Sequence, residues 1–122
     1  MSMTIQEQAK TFLQLAGSGQ AEKAFQRFVS SNFIHHNQYF KGDRQSLLDA
    51  MNEAHEKAPN KKLEVQHSYI DGSVVITHSW VVKDDMEIAV VHIFRFENDQ
   101  IVELWDLGQI IDTESPNENG LF

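Results

Sequence analysis

Between Lys61 and Ile111, apolar and polar residues alternate with a period of two, the mark of strands with one buried face. Two such runs fill Glu87 to Ile111, joined at Asn98 and Asp99. The first places Ile88, Val90, His92, Phe94 and Phe96 on one side, and the second Val102, Leu104, Asp106, Gly108 and Ile110. If both apolar sides share a core, a three-residue loop from Asn98 to Gln100 sets the register. His92 then lies across from Asp106, with Cβ atoms roughly 5 Å apart. Upstream, Leu63, Val65, His67 and Tyr69 alternate with polar residues. Asp71-Gly72 reads as a turn that pairs Tyr69 with Val74. This register turns Val74, Ile76, His78, Trp80 and Val82 to the core. A three-residue loop beginning at Asp84-Asp85 then pairs His78 with His92.

The N-terminal half has helical periodicity. Thr4-Ile5-Gln6-Glu7 reads as a capping box, followed by Ile5, Ala9, Phe12, Leu13 and Ala16 at helical spacing, with Gly17 as the stop. Ala21, Ala24, Phe25, Phe28 and Val29 form the stripe of a second helix. Phe33 to Asn37 reads as a short strand on which His35 and His36 face opposite ways, one of them toward the core. Asp43 caps a third helix with Leu47, Leu48, Met51, Ala54, His55 and Ala58 on its buried stripe, and Pro59 ends it. The expected organisation is a single domain over residues 1–122. It comprises a helical hairpin (1–30), a short strand and loop (31–42), a third helix (43–58), a four-stranded meander (61–112) and a tail (113–122). Segregated helices and strands make this an α+β protein with helices on one face of a curved antiparallel sheet.

Composition narrows the chemistry. The 122 residues suit one domain, and the formal net charge of −8 argues against nucleic acid or an anionic membrane as partner. There is no cysteine, which excludes thiolate metal sites and a cysteine nucleophile. No apolar run is long enough to span a bilayer and no leader is evident, so a cytoplasmic location is expected. His78, His92 and Asp106 would form a row across three strands. For His92 with Asp106, a proton-transfer site is favoured over a satisfied structural network, because a buried carboxylate is costly without a use. For His78 the structural reading is the better one. Two histidines and an aspartate could also supply a metal triad, but strand spacing stretches it, and neither metal nor cofactor is expected. Tyr69, Trp80 and Phe94, with His36 at the mouth, would line a pocket for a hydrophobic ligand.

Phe33-Ile34-His35-His36-Asn37, Gly42-Asp43, the run Ala89 to Phe96 and the run Ile101 to Asp106 together resemble the SnoaL-like polyketide cyclases of the nuclear transport factor 2-like (NTF2-like) superfamily. The resemblance covers nearly the whole chain. It implies a cone-shaped α+β barrel around a ligand pocket, with three N-terminal helices wrapping the sheet. It also implies a cofactor-free intramolecular aldol condensation, with Asp106 and His92 matching the family's pocket aspartate and histidine. His36 matches the histidine of its Gln-His-Asn-like segment, where His35 stands in place of the glutamine.

The expected function is therefore an enzyme abstracting a proton α to a carbonyl, with Asp106 as base and His92 orienting it or protonating the electrophile's oxygen. A non-catalytic small-molecule binding module and a ketosteroid-isomerase-like isomerase are the alternatives. The outward residues Ala89, Val91, Ile93 and Arg95, with Ile101, Glu103, Trp105 and Leu107, form an apolar face. A homodimer packed sheet to sheet would cover it, or the 115–122 tail would cover part of it.

Overall fold

Thr4 opens the first helix as its capping box predicts: the Thr4 hydroxyl accepts from the Glu7 amide at 3.1 Å, and the Glu7 carboxylate accepts from the Thr4 amide at 2.8 Å. The computed structural model describes residues 3–122. Helix α1 spans Ile5–Gly17, α2 Ala21–Phe28 and α3 Arg44–Lys57. Strand β1 spans Val29–His35, β2 Lys62–Asp71, β3 Val74–Val82, β4 Glu87–Glu97 and β5 Gln100–Ile110. The strands form one sheet in the order β1-β5-β4-β3-β2. The meander is thus as expected, and β1 adds a fifth strand by pairing parallel with β5. β1 begins at Val29, two residues before the expected strand segment, because α2 runs directly into it. Among the described residues no helix is long and apolar enough to cross a membrane.

One end of the space between helices and sheet is filled with aromatic rings. Phe12 meets Phe25 at 5.6 Å and Phe94 edge-on at 5.9 Å, and Phe25 meets Phe33 at 5.9 Å. Ile101, Leu104, Val75 and Phe96 complete this plug. Toward the other end the inward residues shrink to Ala16, Ala54, Val90 and Gly108, and a cavity remains. A side chain at Gly108 would place its Cβ 3.1 Å from the Ala89 carbonyl oxygen, so this position stays bare. Phe94 belongs to the plug, with no exposed surface, and does not line the cavity as expected.

Three turns depart from their expected form, and the departures decide which residues face inward. Asn98 and Asp99 both take positive φ (51° and 61°), so the β4–β5 turn is a two-residue type I′ turn, not a three-residue loop. A bulge between Arg95 and Phe96 in the pairing restores the register, and His92 does pair with Asp106. The same bulge turns both Ile101 and Val102 into the core, so Ile101 is not on the outward face.

At β3–β4 the pairing of Val82 with Glu87 leaves four residues, Lys83 to Met86, in the connection. That even number reverses the expected facing of β3. Val75, Thr77, Ser79 and Val81 face inward, and His78 pairs with Val91 on the outside, not with His92. At β2–β3 the turn is Gly72-Ser73, with Gly72 at φ 59°, and Asp71 pairs with Val74. Tyr69 therefore pairs with Ile76 and His67 with His78, both on the outer face, while a bulge between Val65 and His67 keeps Leu63 and Val65 inward.

Because Asp99 holds a left-handed conformation that favours glycine, Asp99→Gly should stabilise the fold by about 0.5–1 kcal/mol. A rise in the urea midpoint without a change in slope would show it.

Candidate functional site

β4 and β5 carry the centre of the site in adjacent positions. His92 Nε2 lies 3.7 Å from Asp106 Oδ1, wider than a hydrogen bond but within ion-pair reach. The second carboxylate oxygen, Oδ2, accepts from Asn37 Nδ2 at 3.1 Å. Asn37 follows β1, whose parallel pairing with β5 sets His35 beside Leu104 and brings the next residues over Asp106. The Asn37 amide oxygen in turn accepts from the Tyr39 backbone, which holds the side chain in its loop. Sequence reasoning quoted Asn37 within a motif but gave it no role. What brings it to Asp106 is the β1–β5 pairing, which the meander pattern does not contain.

These three side chains line a cavity of about 630 Å³, and the His92 ring lies 5.9 Å from Phe94 of the aromatic plug. Leu13, Ala16, Met51, Val81, Ile88 and Val90 supply its apolar wall. His55 and Asn60 also face it. The one cation among the lining residues is Lys83, whose ammonium donates to the Ala58 carbonyl at 2.6 Å. Burial pushes that ammonium below the usual lysine range.

His92 is buried, its side chain 10% exposed. Desolvation holds its imidazole below the ordinary value of 6.5, and the Asp106 carboxylate acts in the opposite direction with less effect. The ring is thus neutral near pH 7. Both side chains line the cavity, and Asp106, 28% exposed, is the more accessible of the two.

The other expected site residues lie elsewhere. His78 is on the outer face, its ring 5.6 Å from His67 and 4.9 Å from Phe122. The triad of His78, His92 and Asp106 is therefore not assembled. Among the described residues no group of three His, Cys, Asp or Glu could hold a metal ion. Trp80 also faces outward, its indole N–H donating to Glu87 at 2.7 Å with the Lys62 ammonium over its ring. Tyr69 is exposed on the outer face of β2. His36 borders the cavity, but its ring lies flat on Trp105 at 4.7 Å and bonds Glu103 at 2.7 Å. That hydrogen bond, ahead of Arg95, holds the Glu103 carboxyl below the usual carboxylate range. His35 is the buried member of the pair, with Nε2 against the Lys41 carbonyl and Nδ1 accepting from the Asn37 amide. It braces the loop that carries Asn37.

The buried neutral histidine makes stability depend on pH. Unfolded, His92 takes up a proton as pH falls through about 6.5, while the folded protein resists until a lower pH. The unfolded state then binds more protons, so stability falls as pH drops below about 6.5. Chemical denaturation between pH 7.5 and 5.5 should show this loss in the wild type and a smaller slope in His92→Asn.

No family model matches the sequence, and no curated protein matches it. The fold, by contrast, has many solved counterparts. An NTF2-like protein of unknown function from Burkholderia xenovorans LB400 superposes with a TM-score of 0.73 at 18% identity, covering 93% of this chain and 88% of that one. A SnoaL-like polyketide cyclase from Agrobacterium tumefaciens strain C58 gives 0.72 at 13% identity, covering 88% and 93%. An LEH-like epoxide hydrolase of M. tuberculosis gives 0.64 at 12% identity, covering 84% and 80%. At these identities what is shared is the architecture: three helices against a curved five-stranded sheet. That architecture makes this chain a member of the NTF2-like fold.

Proposed function

We propose that the protein is a small-molecule enzyme of the SnoaL-like kind, with Asp106 as the general base that removes a proton α to a carbonyl in an apolar substrate. The observation that carries this reading is the placement of Asp106, His92 and Asn37 together on the wall of an otherwise largely apolar cavity. Asn37 occupies Oδ2 and leaves Oδ1, the oxygen nearer His92, to take the proton. Loss of that proton gives an enolate, and the neutral His92 imidazole beside it can donate a hydrogen bond to the oxygen where charge develops. In an aldol closure the enolate carbon bonds a second carbonyl carbon of the same molecule. The proton held by Asp106 then passes to the new alkoxide, so the base is regenerated without a cofactor. Return of that proton to a different carbon would make the same site an isomerase. The cyclase-named structural neighbour supports the first outcome by analogy of fold.

A non-catalytic binding module is the second reading, and the 3.7 Å gap between His92 and Asp106 favours it. Gaps of this kind often close only around a substrate, so the gap does not decide the matter. Deuterium uptake does. Wild-type protein incubated in heavy water with a panel of apolar ketones and diketones should speed α-hydrogen exchange in those that bind. Asp106→Asn should remove that exchange by at least 100-fold while keeping the melting temperature. Ligands that bind without exchanging would leave the binding module as the answer.

We also propose a homodimer packed through the outer sheet face, where Val91, Ile93 and Trp105 are half-buried and Leu107 is 57% exposed. Phe122 packs against His78 on that face. Light scattering after size exclusion should give twice the chain mass, and Trp105→Glu should halve it. A wild-type monomer at micromolar concentration would refute the assembly.

A further inference from the structure

Among the described residues five buried side-chain atoms have no hydrogen-bond partner: Arg44 Nε, Asn60 Oδ1, Thr77 Oγ1, Ser79 Oγ and His92 Nδ1. Buried polar atoms are nearly always partnered, so isolated exceptions are uncommon and neighbouring ones more so. Three of these five are neighbours. Thr77 pairs directly with His92 across β3 and β4, which sets their Cβ atoms about 5 Å apart. Ser79 follows two residues along β3 on the same inward side, diagonal to His92. Both hydroxyl residues are 0% exposed. Neither lines the cavity.

We propose that Thr77 and Ser79 are positioning residues that, through one buried water shared with His92 Nδ1, hold the His92 imidazole as the tautomer protonated on Nε2. The proposal rests on the reading of His92 as a hydrogen-bond donor at the site, and extends it to what sets that donor.

The argument is a count of hydrogens. Each hydroxyl has one to donate, and no protein acceptor receives either of them. A water between them accepts both and has hydrogens of its own to give. The remaining orphan is His92 Nδ1, which in a neutral ring is either an acceptor or a donor. A water that accepts both hydroxyl hydrogens has no lone pair left and can only donate to the ring, so it calls for Nδ1 as acceptor. The opposite side of the ring agrees. Nε2 lies 3.7 Å from Asp106 Oδ1, where a bare nitrogen lone pair would face a carboxylate oxygen and an N–H would be attracted to it. The hydroxyl pair and the carboxylate therefore select the same form, with Nδ1 accepting and Nε2 donating. The ring then presents a hydrogen to the side where a substrate oxygen would sit. Neither Thr77 nor Ser79 touches substrate. Their effect passes through the imidazole.

The test is a two-bond proton–nitrogen correlation spectrum of ¹⁵N-histidine-labelled protein at pH 7.5, with no substrate present. Wild-type His92 should appear as a single tautomer with a pyridine-like Nδ1 and a protonated Nε2. Thr77→Val combined with Ser79→Ala should lose that single signature and show a second tautomer or exchange-averaged shifts. Thr77→Ser, which keeps a hydroxyl, should retain it. If the double variant does not fold, Thr77→Val and Ser79→Ala singly are read the same way, with the same expected direction. A wild-type His92 protonated on Nδ1 would overturn the proposal, and so would an unchanged His92 spectrum in the hydroxyl-free variants. Because no turnover is measured, the result stands apart from the catalytic reading. A protein that exchanges no ketone can still show the tautomer, and one that exchanges ketones with Nδ1 protonated refutes only this inference.

Discussion

The pairing of β4 with β5 is the constraint on which the rest of the molecule depends. Both strands are eleven residues long, and one residue of slip would turn Asp106 out of the cavity and Trp105 into it. Two local features set the register together. The type I′ turn at Asn98-Asp99 is matched to strand twist, and alone it would pair His92 with Trp105. The bulge beside Ile101 and Val102 absorbs the odd residue and shifts every pair beyond it, so that His92 meets Asp106. It also buries two consecutive apolar side chains at the plug end, where apolar volume is in demand. Register and core packing thus reinforce one another.

The site follows from how that core is filled. Phe12, Phe25, Phe33 and Phe94 close one end of the sheet, and at the other end, where no aromatic ring follows on the inward rows of β4 and β5, a cavity remains. His92 sits at the boundary, with its ring 5.9 Å from Phe94. On the plug side it is desolvated, which keeps it neutral, and on the cavity side it has Asp106. A neutral imidazole and a half-wet carboxylate in contact can divide donor and base roles without competing for one charge.

Much of this was legible in the sequence. Helix starts were encoded in single side chains, Thr4 and Asp43, whose oxygens meet backbone amides within one turn. Strand existence was encoded in alternation, and the pairing of His92 with Asp106 in the parity of two adjacent runs. What failed was facing in β3. There the inward row is Val75, Thr77, Ser79 and Val81, and the outward row is Val74, Ile76, His78, Trp80 and Val82. The outward row is the more apolar and aromatic of the two, so alternation alone favours the wrong side. Two polar residues lie inside and an indole outside because α1 covers one face, while the other is left to the tail and the rim.

The sequence by itself therefore determined the elements, their order and the pairing of His92 with Asp106, because each rests on contacts within a helix turn or across one short hairpin. The tertiary structure alone decided that Asn37 reaches Asp106, since that depends on a parallel pairing between strands some seventy positions apart in the chain. It also decided that His78, Trp80 and Tyr69 lie outside, since one residue more or fewer in a turn reverses a whole strand and no local pattern counts that residue. Local propensities specify what forms. Which side faces the cavity is a property of the assembled sheet and the helices laid upon it.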